Sequence, residues 1–236
     1  MAKSESKAGG GGRMAAVSVV VQSGDKIDLS ETPLVYGNND PAIRGTARQA
    51  VEAQETKRLS AKSEYAIVLD ENGNQIVPES HGSKGKVVVN GLSQATIMTH
   101  NHPRGKNEEG TLGGTFSNKD CLRFSEKTRL QTMRASAAEG TYSITKGKGF
   151  DADGFRKYSS SIEANRRADL KKATKVHANR IQAEYDAGKI DYATATKQLR
   201  SLCNKEFNKY LVAVHNDYLA GQKQYGYSYT LERRSQ

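Results

Sequence analysis

Residues 95–103 have the sequence ATIMTHNHP, and this stretch is the most informative about the fold. Residues 95–99 form a short apolar run that predicts a strand. The run leads directly into the histidines, so they stand at the carboxyl end of that strand. If the backbone stays extended there, His100 and His102 lie on one face, because alternate residues of a strand point to the same side.

Short strands are predicted on both sides of this stretch. Residues 65–69 are apolar, and the Asn-Gly pair that follows at positions 72–73 is a strong signal for a hairpin turn into residues 75–77. Further β-branched or apolar runs predict strands at residues 17–21, 86–89, 132–137 and 141–144.

Helices are predicted between these strands. Over residues 41–62 apolar side chains recur at roughly helical spacing, and Asp40 before Pro41 supplies a cap and a first-turn signal. A glycine-rich segment at 105–114 is followed by a second helical pattern at 117–128. Strands and helices in this order predict an α+β (mixed α/β) fold class, with a sheet flanked by helices.

The character of the chain changes beyond Phe150. Residues 160–187 and 192–221 predict a helical hairpin, with Gly188 suited to the end of the first helix and Asp191 to the cap of the second. Tyrosines at 225, 227 and 229 then alternate with polar residues, which is typical of a half-buried strand. We therefore expect a disordered tail at 1–13, a core domain at 14–150, and a basic helical hairpin extension with a short terminal strand at 151–236.

Composition narrows the classes of function. The formal net charge is +10, and residues 151–236 contribute +6 of it through 16 Lys and Arg against 10 Asp and Glu. Binding of nucleic acid through this basic tail is therefore an open expectation. The two cysteines, Cys121 and Cys203, form no CxxC pair, which excludes a disulfide framework and a cysteine-rich zinc site. No apolar run approaches the roughly 20 residues that span a bilayer, and no clear secretion signal is present. We expect a cytoplasmic protein without a membrane partner.

The two histidines point to metal chemistry. Two imidazoles on one face can chelate one ion, and hydrolytic zinc sites take three protein ligands and a water whose pKa falls to about 7. Asp120 is the candidate third ligand, because it stands at the start of a predicted helix after a glycine-rich loop. A base outside the ligand set must accept the proton of that water. Glu64, which opens its own strand, is the candidate.

These residues resemble the motif of the JAMM (MPN/JAB-type) metallopeptidase family, which is an upstream glutamate, His-x-His-Pro and Ser-x-x-Asp. The match consists of Glu64, the His-Asn-His-Pro run at 100–103 and the Ser-Asn-Lys-Asp run at 117–120, within a likeness that covers about residues 64–144. The resemblance implies a JAB/MPN-like sheet and Zn²⁺ bound by His100, His102 and Asp120. It further implies Glu64 as general acid/base and Ser117 as the group that stabilises the oxyanion.

The particular form of the motif is similar to JAB-type domains of bacteriophage head-morphogenesis proteins and bacterial toxin systems. It implies a zinc-dependent metallopeptidase or isopeptidase-like hydrolase that acts on a protein or peptide, with phage capsid or portal subunits as further partners. Host cytoplasm or virion is the implied location. The segment between His102 and Ser117 is longer than the compact loop of the family. The alternative is a phage virion or head-assembly protein with a JAB-like scaffold and no essential catalysis.

Each candidate residue also has a structural alternative. Ser117-x-x-Asp120 fits a capping box at the start of a helix, and the two histidines fit polar positions at a strand end. Glu64 has competitors for the role of base in Glu55, Glu71 and Glu79. The remaining candidate ligands, for which structural or loop roles are favoured, are His81, His177, His215 and Cys121.

Overall fold

Six strands form one mixed sheet in this computed structural model, which describes residues 34–83, 86–103 and 112–233. Strands β3 and β4 pair in parallel, and the other neighbours pair antiparallel, in the spatial order β2-β1-β3-β4-β5-β6. The strands are β1 (Tyr65–Leu69), β2 (Ser80–His81), β3 (Ile97–Asn101), β4 (Thr132–Ala137), β5 (Gly140–Lys146) and β6 (Tyr227–Glu232).

Four helices accompany the sheet in the described ranges: α1 (Gly45–Arg58), α2 (Asn118–Glu126), α3 (Ala152–Asp186) and α4 (Tyr192–Tyr225). The expected α+β class, the C-terminal helical hairpin and the terminal strand are therefore confirmed. Among the described residues, no helix combines the length and the apolar character needed to cross a membrane.

The terminal strand joins the extension to the sheet. β6 pairs with β5 along its whole length, from Thr141↔Glu232 to Lys146↔Tyr227. Tyr227, Tyr229 and Leu231 are buried in the main core, as the predicted alternation requires, whereas Tyr225 is the last residue of α4 and lies outside the strand. Phe155 of α3 and Tyr218 of α4 belong to the same core cluster, whereas the far end of the hairpin has a small core of its own around Ile181 and Leu199.

The long helices begin and end at residues with clear signals. The side chain of Asp151 accepts a hydrogen bond from the Gly154 amide, so α3 begins at Ala152, earlier than the expected start near residue 160. Asp191 caps α4 through the Thr194 amide at 2.7 Å, as expected. Gly188 stands just beyond α3 with φ of +66°, a backbone conformation that favours glycine.

The start of α1 differs from the prediction. Arg44, not Asp40, occupies the N-cap position, and the helix spans Gly45–Arg58 in place of residues 41–62. The carboxylate of Asp40 is buried and accepts hydrogen bonds from the hydroxyls of Ser143 and Thr145 of β5, at 2.8 and 2.6 Å. This contact across about a hundred residues ties Asp40 to the sheet, so the cap prediction was wrong.

Two expected strands also differ. The Asn-Gly turn forms, and the Asp70 carboxylate accepts hydrogen bonds from the amides of Asn72 and Asn74. Residues 75–77, however, do not form a strand, and they pair with β1 through one isolated bridge between Leu69 and Gln75. The edges of β1 are taken by β2 and β3 instead. Residues 86–89 contribute an isolated bridge at Lys86 and no strand, although Val87 is buried in the main core and Val89 packs against it, while Val88 is 61% exposed. The predicted tail at 1–13 and the strand at 17–21 lie outside the described residues.

Candidate metal centre

The two histidines meet on one side of β3. The strand extends through Asn101, further than the predicted 95–99, so His100 lies within it and is buried between Ala66 of β1 and Ala135 of β4. His102 follows two residues later on the same face. The Nε2 atoms of His100 and His102 are 3.0 Å apart, as the alternation of the strand predicts.

Asp120 completes the cluster from the first turn of α2. Its Oδ2 atom lies 3.8 Å from His100 Nε2, and one ligand atom from each of His100, His102 and Asp120 lies within 4.8 Å of the others. The capping box is also present, because Ser117 Oγ accepts from the Asp120 amide at 3.3 Å and the Asp120 carboxylate accepts from the Ser117 amide at 2.9 Å. The Ser117 hydroxyl also donates to that carboxylate at 2.6 Å. A carboxylate has about four lone-pair sites, so capping and metal binding are compatible at Asp120.

The donor set fits a zinc ion. Two ligand atoms at zinc bond lengths near 2.0–2.1 Å in a tetrahedral site are about 3.3 Å apart. The distance from His100 Nε2 to His102 Nε2 is 3.0 Å and that from His100 Nε2 to Asp120 Oδ2 is 3.8 Å, so these two lie on either side of that value. His102 Nδ1 is 2.8 Å from the Gly114 carbonyl, which can only accept, so Nδ1 carries the proton and Nε2 presents its lone pair to the cluster.

The electrostatics favour the ligand forms of the side chains. Burial lowers the pKa of His100 to about 4, with His102 adding to the effect and Asp120 opposing it, so this imidazole is neutral at pH 7. Its Nδ1 atom makes no hydrogen bond of good geometry within the described residues, although the Arg134 backbone lies near enough to raise the pKa of the ring. Burial raises the pKa of Asp120, but His100 and the Ser117 hydrogen bonds outweigh it, and the net pKa is lowered.

Glu64 borders the cluster from the next strand. It directly precedes β1, and the register Ala66↔His100, continued by two residues, sets Glu64 across from His102. Two backbone hydrogen bonds of 2.9 Å, with Gly82 and Ser83, fix its position. Burial raises the pKa of its carboxyl group, Asp120 raises it further, and His102 lowers it. A carboxylate with a raised pKa is suited to proton transfer near neutral pH.

The competing glutamates are engaged elsewhere. Glu55 is buried and bonded to Arg134 and Thr99, Glu79 forms an ion pair with Arg58, and Glu71 lies at 3.5 Å from the Thr96 hydroxyl. The Glu64 carboxylate, in contrast, interacts electrostatically with His102 and Asp120.

The other candidate ligands have structural surroundings. His81 is exposed beside Glu79, and His177 lies beside Glu206. His215 is buried between the Tyr229 hydroxyl and the Val35 carbonyl. Cys121 is buried at 3.1 Å from the Tyr218 hydroxyl, and burial raises the pKa of its thiol, which confirms its expected role in the core.

Asn101 is a positioning residue that the sequence analysis missed. Its side chain points away from the cluster, donates to the Ser63 carbonyl at 3.0 Å and accepts the Tyr65 amide at 2.6 Å. These two bonds bracket Glu64 and tie it to the histidine strand. Its place between the two histidines was visible in the sequence, but its partners could not be identified there.

Glu139 is the second missed residue. Its carboxylate accepts the amides of Gly113 and Gly114 at 2.9 and 2.8 Å, together with the Tyr142 hydroxyl at 2.7 Å. It thereby holds the backbone on the amino side of Gly114, the residue whose carbonyl faces His102 Nδ1. Glu139 lies in the turn between β4 and β5, and no sequence pattern linked that turn to the histidines.

The motif and this geometry carry the assignment of the site. Within the described ranges, His100, His102 and Asp120 are the one group of three His, Cys, Asp or Glu side chains arranged closely enough to hold a metal ion. Comparison of the chain with models of protein families, with curated proteins and with solved structures found no match.

Proposed function

We propose that the protein is a zinc-dependent hydrolase of amide bonds, of the JAMM metallopeptidase type. The observation that carries this proposal is the convergence of His100, His102 and Asp120 within 4.8 Å, with Glu64 at its border. His100, His102 and Asp120 would hold a zinc ion there, which would supply a bound water of pKa about 7 and polarise the substrate carbonyl.

Glu64 carries the proton in this proposal. Amide hydrolysis adds water across the C–N bond, so one proton must move from the water to the amine that leaves. The Glu64 carboxylate accepts that proton and then returns it to the amine nitrogen, which restores its starting state. Its raised pKa and its fixed backbone support this role.

The exposure of Ser117 beside Asp120 supports the proposed oxyanion role. The Ser117 hydroxyl donates to Asp120. A hydroxyl has one proton, so it must rotate away from Asp120 to donate to a substrate oxygen. The Ser117 amide continues to hold the Asp120 carboxylate at 2.9 Å during that rotation.

The biological setting follows from the resemblance. The form of the motif supports a bacteriophage protein with a protein or peptide substrate, connected with head morphogenesis, in host cytoplasm or virion. The basic hairpin supports contact with capsid or portal subunits or with nucleic acid. A steep fall of DNA affinity with salt is the expected sign of nucleic-acid binding.

Metal content tests the proposal. We expect about one zinc per chain, by mass spectrometry of the purified full-length protein, in the wild type and in Glu64→Gln, and a loss of zinc in His102→Ala. Both variants are expected to lose amide hydrolysis. His81→Ala is the matched control, because this exposed histidine lies outside the cluster. A folded wild-type protein that takes up no zinc would overturn the proposal and favour the scaffold alternative.

A further inference from the structure

A cavity opens beside the proposed metal ligands, between the start of α2 and the helical hairpin. It measures about 320 Å³, at the lower end of the range of about 300–1,000 Å³ that ligand sites occupy. Residues 116–118 form one wall. The facing walls come from α3 and α4 and include Ile162, Leu170, Phe207, Leu211 and Val214.

Two residues join the cavity to the metal cluster. Ser117 lines the cavity, and its hydroxyl is 2.6 Å from the Asp120 carboxylate. Phe116 lines it as well, with its ring centroid 6.2 Å from that of His100. A peptide whose carbonyl oxygen reaches Ser117 therefore lays a neighbouring side chain against this cavity.

The chemistry of the walls selects the occupant. The side chains from the hairpin are mostly aliphatic or aromatic, and the charged groups are Glu163 and Arg167, which pair with each other at 2.6 Å. Because these two charges compensate each other, the cavity offers little to a single charged side chain. An apolar side chain gains free energy by leaving water for such walls.

We propose that this cavity is the specificity pocket of the enzyme and receives one large apolar or aromatic side chain beside the scissile bond. The helical hairpin then contributes to substrate selection as well as to the core. The inference rests on the proposed function for the presence of a scissile bond, while the pocket itself is defined by Ser117 and the hairpin.

Zinc-binding probes of matched structure test the pocket. The zinc-loaded full chain is titrated calorimetrically with the hydroxamates of N-acetylphenylalanine, N-acetylglycine and N-acetylaspartate. We expect the phenylalanine compound to bind about tenfold to a hundredfold more tightly than the glycine compound, from burial of its ring. Equal binding, or preference for the aspartate compound, would overturn the pocket.

Two variants on α3 form a matched pair. Leu170→Asp puts a charge in the pocket and is expected to remove the preference for phenylalanine, with the glycine compound unaffected. Val176→Asp on the same helix, at a position 61% exposed and outside the pocket, is expected to retain it. Thermal unfolding verifies folding, and Leu170→Ala provides a milder second variant with a reduced preference. An unchanged preference in a folded Leu170 variant contradicts the proposal.

A metal-free experiment separates this inference from the proposed function. N-acetylphenylalanine amide and N-acetylglycine amide are added to the zinc-free protein, and the methyl signals of Leu170 and Leu211 are followed by NMR. We expect shifts with the phenylalanine amide alone. That result supports the proposed specificity pocket even if the protein binds no zinc. Equal methyl shifts with the two amides would overturn the proposed pocket even if the protein is an active zinc enzyme.

Discussion

Replacement of Glu139 by glutamine tests how the proposed zinc ligand His102 is held. Glu139 accepts the amides of Gly113 and Gly114 and the Tyr142 hydroxyl, and the Gly114 carbonyl in turn accepts from His102 Nδ1. Glutamine retains one oxygen acceptor, and its amide group turns two donors toward a backbone amide. One glycine amide therefore loses its partner, and the loop no longer has a fixed place beside His102.

The expected magnitude follows from these contacts. A hydrogen bond to a charged group contributes about 1.5–3 kcal/mol. Loss of a partner that orients a metal-binding histidine typically lowers metal affinity about 10–100-fold, which is about 1.4–2.7 kcal/mol. Glu139 acts on His102 through the Gly114 carbonyl, one step removed, so we expect Glu139→Gln to weaken zinc binding by about tenfold, the lower end of that range, measured by competition with a chelating indicator.

Two controls make the result specific. Tyr142→Phe removes one hydrogen bond to Glu139 but leaves both glycine amides in place, and it is expected to change zinc affinity by less than about threefold. The His102 Nδ1–H resonance should shift in Glu139→Gln and stay unchanged in Tyr142→Phe. Wild-type zinc affinity and an unchanged His102 resonance in a folded Glu139→Gln protein would refute the reasoning.

Three further predictions concern the buried charges of the sheet and the loop beside His102. Arg134→Met should lower the free energy of unfolding by about 3–5 kcal/mol in urea titrations, because it leaves Glu55 buried without its cation and leaves Glu232 with Arg48 as its one remaining cation among the described residues. Burial raises the pKa of Glu232, but Arg134 outweighs this, and the net pKa lies below the ordinary 4.5. The stability that the Glu232–Arg134 ion pair contributes is therefore fully present above pH 4.5 and is lost as the pH falls through the lowered pKa. The free energy of unfolding, measured in urea across that pH range, should depend less on pH in Glu232→Gln than in the wild type. An equal pH dependence in the two proteins would count against the ion pair. Gly114→Ala should be less stable than Gly188→Ala: both sites have positive φ, but an added Cβ at Gly114 meets Leu211 at 2.6 Å, whereas nothing lies within 4 Å at Gly188. Similar thermal unfolding of the two variants would contradict that difference.

Elements with strong local signals could be predicted from the sequence. β4, β5 and α4 agree closely with expectation, because the strand pattern of the first two and the Asp191 cap of the third are local. The failures involve distant partners. Asp40 has the sequence context of a helix cap, but its bonds to Ser143 and Thr145 of β5 depend on the finished sheet.

The candidate site shows the same division. His100, His102 and Asp120 could be predicted as a group, since the motif and the strand alternation point to them directly. Glu139 and the cavity could not, because they depend on how the β4–β5 turn and the hairpin fold back on residues 112–118. The pairing of the competing Glu55 with Arg134 is likewise a contact between residues 79 positions apart, which no local sequence pattern shows.

The pairing of β6 with β5 has a consequence for synthesis on the ribosome. A nascent chain that has emerged through residue 226 contains all three proposed metal ligands, yet the hydrogen-bonding edge of β5 that β6 covers is still open. Arg134 then has Glu55 but still lacks Glu232. An open strand edge is a template for pairing with other chains. Premature termination before residue 227 should therefore yield a protein prone to aggregation, although it retains every proposed zinc ligand.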